Sequence, residues 1–199
     1  MAESQRYIDE DLNRLWTKDK IEAIITKSSV NNEELQLQQL FKVLKQILTR
    51  NDGPFYFIDL HTTSSQSLPF ITINDALINR EFSKLFPVPI VLGIEEYLEG
   101  ALLSYINTLG YVSIGFESGQ HTDSRSIENN IAFIQLALVF SGVLNENDTN
   151  VKAHLNTLKS ASNNRCPAIS SFEQEKILKV CICGNPPHLC VFYQCMKNS

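Results

Sequence analysis

Cysteine is absent from the first 165 residues of this 199-residue chain and then occurs five times, at Cys166, Cys181, Cys183, Cys190 and Cys195. An odd number crowded into one stretch fits poorly with a complete set of intramolecular disulfides. No secretory leader is expected either, since Met1-Ala2-Glu3-Ser4-Gln5-Arg6 has neither a basic n-region nor an apolar core. The longest charge-free apolar stretch, Ile131 to Leu144, falls about a third short of the roughly 20 residues that span a bilayer. It reads as a buried helix, and a soluble cytoplasmic protein with no membrane partner is the expectation. Basic charge is scarce in the middle of the chain. Residues 51–150 carry twelve acidic groups against three basic ones, whereas residues 1–50 are balanced at eight of each and residues 151–199 carry six basic against two acidic. The acidic middle argues against a phosphate-binding surface, and no nucleic-acid partner is expected.

What is present suits a globular body. The chain is 43% hydrophobic and 20% charged, enough apolar material for a core, which excludes the disordered and collagen-like classes. Between Glu33 and Leu48, apolar residues at Leu37, Leu40, Phe41, Leu44, Ile47 and Leu48 predict an amphipathic helix. It ends at the turn Asn51-Asp52-Gly53-Pro54. Phe55 to Leu60 is a short, almost wholly apolar run, as expected of a strand buried on both faces. Further strands are predicted at Phe70–Ile73, Pro89–Leu92 and Tyr111–Phe116. Helices are predicted at Ala76–Leu85, at Gly100–Leu109 with Gly110 as C-cap, and at Ser126–Leu144 with a cap near Asp123 or Ser124. The alternation implies an α/β fold, a mostly parallel or mixed sheet flanked by helices. The texture changes near Asn145. The expected division is a body over residues 1–148, followed by a linker and a poorly ordered, cysteine-rich tail over 149–199.

Two strand ends carry groups suited to chemistry. In Asp59-Leu60-His61-Thr62-Thr63 a buried strand delivers an imidazole into a polar loop. In Gly115-Phe116-Glu117-Ser118-Gly119 a strand delivers one carboxylate between glycines. Functional groups collect at such ends in α/β sheets. A histidine and a glutamate there suit a metal ligand with a general base; they equally suit an ordinary hydrogen-bonded histidine and a solvent-facing carboxylate. A third segment, Arg6-Tyr7-Ile8-Asp9-Glu10-Asp11-Leu12-Asn13-Arg14, brings two arginines and an asparagine together. That is either an anion or carbonyl-oxygen site or a charge-balanced helix start.

In their order and approximate spacing, these three segments resemble the succinylglutamate desuccinylase/aspartoacylase family, of the zinc carboxypeptidase-like fold. The resemblance covers about residues 5 to 145. It implies that His61 is a zinc ligand and that Glu117 activates the attacking water and later protonates the leaving amine. It implies further that Arg6 polarises the scissile carbonyl and that Asn13 and Arg14 bind substrate. The implied reaction is zinc-dependent hydrolysis of an N-acyl amide of an amino acid or related small molecule.

The chain also departs from that pattern. The family takes two more zinc ligands from an upstream His-x-x-Glu motif, and none of His61, His121, His154 and His188 has a glutamate three positions later. Catalytic zinc normally takes three protein ligands. The expectation is therefore a truncated or divergent member that binds zinc poorly and turns over little by itself. Asn107 stands where some members carry a substrate-binding arginine, and Glu99 to Phe116 contains no basic residue, so acyl-aspartate specificity is not expected. The alternatives are a non-catalytic remnant binding an anion through Arg6 and Arg14 without metal, and a metal-binding cysteine tail on an inert body. His121 reads as a loop residue, and His154 and His188 as surface residues.

Overall fold

The structure, a computed structural model, describes residues 7–94 and 98–163 together with the backbone of two short strands, 169–171 and 188–192. The chain enters through a 3-10 turn, Leu12–Arg14, and two helices, α1 (Lys18–Thr26) and α2 (Asn32–Arg50). There follow β1 (Phe55–Thr63), β2 (Phe70–Ile73), α3 (Leu77–Ser83), β3 (Ile90–Leu92), α4 (Leu102–Thr108), β4 (Val112–Gln120), α5 (Arg125–Phe140) and α6 (Val151–Ala161). The strands β5 (Ile169–Ser171) and β6 (His188–Phe192) complete the sheet, whose order is β5-β3-β2-β4-β1-β6. β1 pairs with β4 in parallel, and so do β2 with β3, β1 with β6, and β3 with β5; β2 runs antiparallel to β4. The α/β expectation therefore holds, with a mixed sheet.

Alternation along each strand divides the sheet into two unlike faces. One is wholly apolar: Ile58, Leu60, Ile71, Ile73, Ile90, Ile114 and Phe116 pack with Phe82, Phe86, Phe133, Leu136 and Leu158. Phe133 stacks on Phe116 at 3.9 Å and 6°, and Phe86 on Phe133 at 4.3 Å and 23°. The three rings tie α5 and the end of α3 to β4. The other face carries Asp59, His61, Thr72, Ser113 and Glu117, all buried. Near it lies a second apolar cluster of Leu12, Leu15, Trp16, Ile21, Ile24, Leu37, Leu44, Phe55, Phe57, Leu102 and Ile106, drawn from the N-terminal segment, α1, α2, β1 and α4.

Past residue 148, where the division is expected, the chain stays in contact with the apolar core. Asn145–Asn150 forms a 3-10 turn and then an N-cap, with Asn150 Oδ1 accepting from the Ala153 N–H at 3.0 Å. α6 packs on the apolar core through Leu158, which is fully buried. Ser162 Oγ donates to the Pro87 carbonyl at 2.9 Å. The body thus continues through about residue 162. Val151, Leu155 and Leu158 make a short helical stripe easily taken for linker. Cys166, Cys181, Cys183 and Cys195 lie outside the described residues, and Cys190 is described only as backbone of β6. Among the described residues, no helix is long and apolar enough to cross a membrane.

Candidate functional site

β1 brings Asp59 and His61 to the same face because they are two residues apart on a strand. β4 lies beside it in parallel, with Asp59 opposite Gly115 and His61 opposite Glu117. From the other side, antiparallel β2 sets Thr72 opposite Gly115 and Phe70 opposite Glu117. The sheet topology therefore assembles His61 and Glu117, separated by 56 positions in sequence, as neighbours near the C-terminal ends of two adjacent parallel strands. Both are 2% exposed. His61 Nε2 lies 3.2 Å from Asp59 Oδ1, with side-chain exposures of 1% and 2%. The carboxylate thus lies within ion-pair distance of the ring in a buried setting, where electrostatic contacts are stronger than in water. Gly115 is a space requirement: a Cβ there would stand 2.3 Å from Thr72 Oγ1 and 3.6 Å from Leu103 Cδ1 of α4.

The Asn13–Arg14 segment forms a separate, connected unit. Asp11 caps the 3-10 turn, its Oδ1 accepting from the Asn13 N–H at 2.9 Å. Asn13 Oδ1 accepts from the Leu102 N–H at 2.9 Å, so its carbonyl serves the first turn of α4. The Trp16 N–H donates to the Gly100 carbonyl at 3.0 Å. Arg14 donates through Nη1 to the Asn13 carbonyl at 2.9 Å and stands 4.0 Å from Asp11, with 42% of its side chain exposed. α4 therefore links the two groups of candidate residues, with Leu102 held by Asn13 and Leu103 lying over Gly115. Arg6 lies outside the described residues.

Residues not singled out from the sequence hold this arrangement. The buried carboxylate of Glu33 accepts from three consecutive backbone N–H groups, of Ile8 at 2.8 Å, Asp9 at 3.0 Å and Glu10 at 3.4 Å. Asn31 Nδ2 donates to Glu10 Oε1 at 2.7 Å, and the Asn32 N–H and Nδ2 donate to Asp9 Oδ2 at 3.0 and 2.8 Å. The Asn32 bonds, its backbone N–H first, hold the Asp9 carboxyl below its ordinary value. The start of α2 thus secures the turn leading to Asn13 and Arg14. The sequence signal is only a cluster of Asn and Glu at a helix N-terminus, which ordinarily reads as capping. His121 sits in the turn after β4, exposed, its N–H donating to the Thr63 carbonyl at 3.1 Å. His154 is partly buried against Thr149, with Nε2 3.0 Å from Oγ1.

The donor set does not make a zinc site by itself. Among the described residues no group of three or more His, Cys, Asp or Glu side chains is arranged to hold a metal ion. The one ligand matched by motif, His61, has its Nε2 against Asp59.

No family model matches the chain, and no curated protein matches it. Solved structures do resemble it. A succinylglutamate desuccinylase/aspartoacylase from Rhodobacter sphaeroides matches at 17% identity with a TM-score of 0.46, over 67% of this chain and 38% of its own. The apo structure of the ectoine utilization protein EutE (DoeB) from Ruegeria pomeroyi matches at 19% identity with a TM-score of 0.47, over 66% of this chain and 41% of its own. The chain thus spans about two fifths of the length of these structures.

Proposed function

We propose that this chain carries the catalytic body of a hydrolase of the succinylglutamate desuccinylase/aspartoacylase type, acting on an N-acyl amide of an amino acid or related small molecule. The observation that supports it is the direct register of His61 and Glu117 on adjacent parallel strands, with Asp59 at the imidazole. In this reading Glu117 accepts the proton of the attacking water and later delivers it to the departing amine. The amide C–N bond breaks, a C–O bond forms, and the products are a carboxylate and a free amine. Arg6 is assigned to the carbonyl oxygen, whose developing charge is worth stabilising by several kcal/mol. Arg14 reaches the substrate from its half-exposed position, and Asn13 contributes through the turn it shares with α4.

The described residues hold no three-ligand cluster and the chain has no His-x-x-Glu motif; on this reading the 199-residue chain alone is expected to hold little metal and to turn over slowly. The test is metal analysis of the purified chain with an assay against a panel of N-acyl amino acids. Both are repeated with a His-x-x-Glu-bearing segment joined upstream. Zinc and turnover appearing only in the extended protein supports the proposal. In that protein Glu117→Ala abolishes turnover with zinc retained, and His61→Ala loses both. Stoichiometric zinc with turnover in the 199-residue chain overturns the metal-poor part. An extended protein that binds zinc without hydrolysing any amide overturns the hydrolase. A metal-free, anion-binding remnant is the second reading, favoured by the contact of His61 with Asp59 and by the lack, among the described residues, of a three-ligand cluster. It is distinguished by anion binding in an extended protein that takes up no zinc.

A further inference from the structure

β4 does not continue regularly past Glu117. Its pairing with β1 runs residue for residue from Tyr56 opposite Val112 to His61 opposite Glu117, then resumes at Thr63 opposite Gln120. Three steps along β4 answer two along β1. Such bulges are rare in parallel pairs, and their effect is to re-aim the neighbouring side chains.

Three side chains hold this one. Ser118, fully buried, donates from Oγ to the His61 carbonyl at 2.9 Å and accepts from Asn130 Nδ2 at 2.9 Å. Asn129 Nδ2 donates to the Ser118 carbonyl at 2.9 Å. Asn129 and Asn130 are consecutive on α5, about 100° apart around the helix axis, yet both reach the same residue. Asparagine is a poor helix former, and a buried amide is costly unless it is bonded. The pair works against the local preference of α5, whose next buried positions are Ala132, Phe133 and Leu136.

We propose that Ser118, Asn129 and Asn130 form a clamp that positions His61 and Glu117 relative to each other. It binds the β1 backbone at His61 to the β4 backbone one residue beyond Glu117 and fixes both to α5. The clamp rests on the reading that His61 and Glu117 carry the chemistry, but its consequence is geometric and precedes any metal or turnover.

The test uses the full 199-residue chain with labelled glutamate and histidine. The carboxyl carbon of Glu117 and the ring nitrogens of His61 are read by NMR at one fixed pH, together with amide exchange and the thermal midpoint. Ser118→Ala is expected to move both side-chain signals. It should also speed amide exchange about tenfold at residues 117–121, the equivalent of about 1.4 kcal/mol. Ser83→Ala, at an equally buried serine on α3, should leave these signals in place. Asn130→Ala, at a partly buried position, is expected to move them in the same direction and carries the test if Ser118→Ala does not fold. Variants that lower the midpoint while both signals stay at their wild-type positions overturn the clamp and leave a purely structural role. An inactive, metal-free chain gives the same readout, so failure of the hydrolase reading is seen separately.

Discussion

Gly100 sits at φ +78°, and a Cβ there would lie 2.4 Å from the Arg14 carbonyl oxygen. Two constraints meet in one residue: a left-handed backbone that L side chains avoid, and a backbone-to-backbone approach with no flexible atom to yield. Gly100→Ala is therefore expected to cost about 3 kcal/mol. It should also release the turn at Asn13, which urea unfolding and amide exchange at Trp16 and Leu102 check. Glu33 is the other decisive single residue. Its carboxylate takes three backbone N–H groups at once, and hydrogen bonds to a charged group are worth more than neutral ones. Glu33→Gln keeps the shape and removes the charge. It is expected to accelerate amide exchange at Ile8, Asp9 and Glu10 while leaving β1 and β4 protected. His61 and Glu117 were legible as candidates because each ends a readable strand run, His61 ahead of a polar loop and Glu117 between two glycines. Asn129 and Asn130 were not. On a helical pattern two polar residues in succession look like a solvated edge, and only the packing of α5 on β4 turns them toward Ser118.

Among the elements, the strongly periodic ones were legible. α2 spans Asn32–Arg50 against a predicted Glu33–Leu48, β2 falls on the predicted Phe70–Ile73, and Gly110 follows α4 at φ +85°, one residue past the Leu109 C-cap. α2 also starts with a full capping box between Asn31 and Glu34. Asn31→Ala should cost about 1 kcal/mol, and somewhat more if the bond to Glu10 is lost with it. Thermal unfolding measures this directly. β1 and β4 run three and four residues past their predicted ends, to Thr63 and Gln120. Polar residues at a strand end resemble a loop until a partner strand pairs them. α1 and α6 went unread, being 9 and 11 residues long with few apolar positions. Short helices of this kind are made by packing rather than propensity. For α6 that dependence gives a prediction: Leu158→Ala, which empties a fully buried site between α6 and the core, is expected to cost about 2 to 5 kcal/mol. Retained stability would mean that α6 is dispensable to the body.

For the whole molecule, four hydrogen-bonded carboxylates contribute to the acid dependence of stability. Hydrogen bonds from Lys27 to Glu34, Arg80 to Asp75 and Arg125 to Asp123, with those from Asn32 to Asp9, hold each carboxyl below its ordinary value. Because these four carboxyls are more acidic in the folded chain, the unfolded chain binds more protons at them in acid. The stabilisation is complete above the ordinary carboxylate range, near pH 4, and is lost as pH falls through the lower folded values. A thermal midpoint measured from pH 7 to pH 2.5 should be flat at first and decline in the acid limb. Salt should flatten the part of that decline that comes from Arg80–Asp75 and Arg125–Asp123, which lie at the surface and are screened. What the sequence by itself determined is the element rhythm, the α/β class and the identity of the chemical candidates. All of these depend on residue type and on periodicity along the chain. Tertiary structure alone decided that His61 stands opposite Glu117, that Asn13 serves α4, that the start of α2 holds the turn leading to Arg14, and that α6 belongs to the body. Each of these is a pairing between segments distant in sequence, set by strand register and helix packing, and no local pattern encodes it.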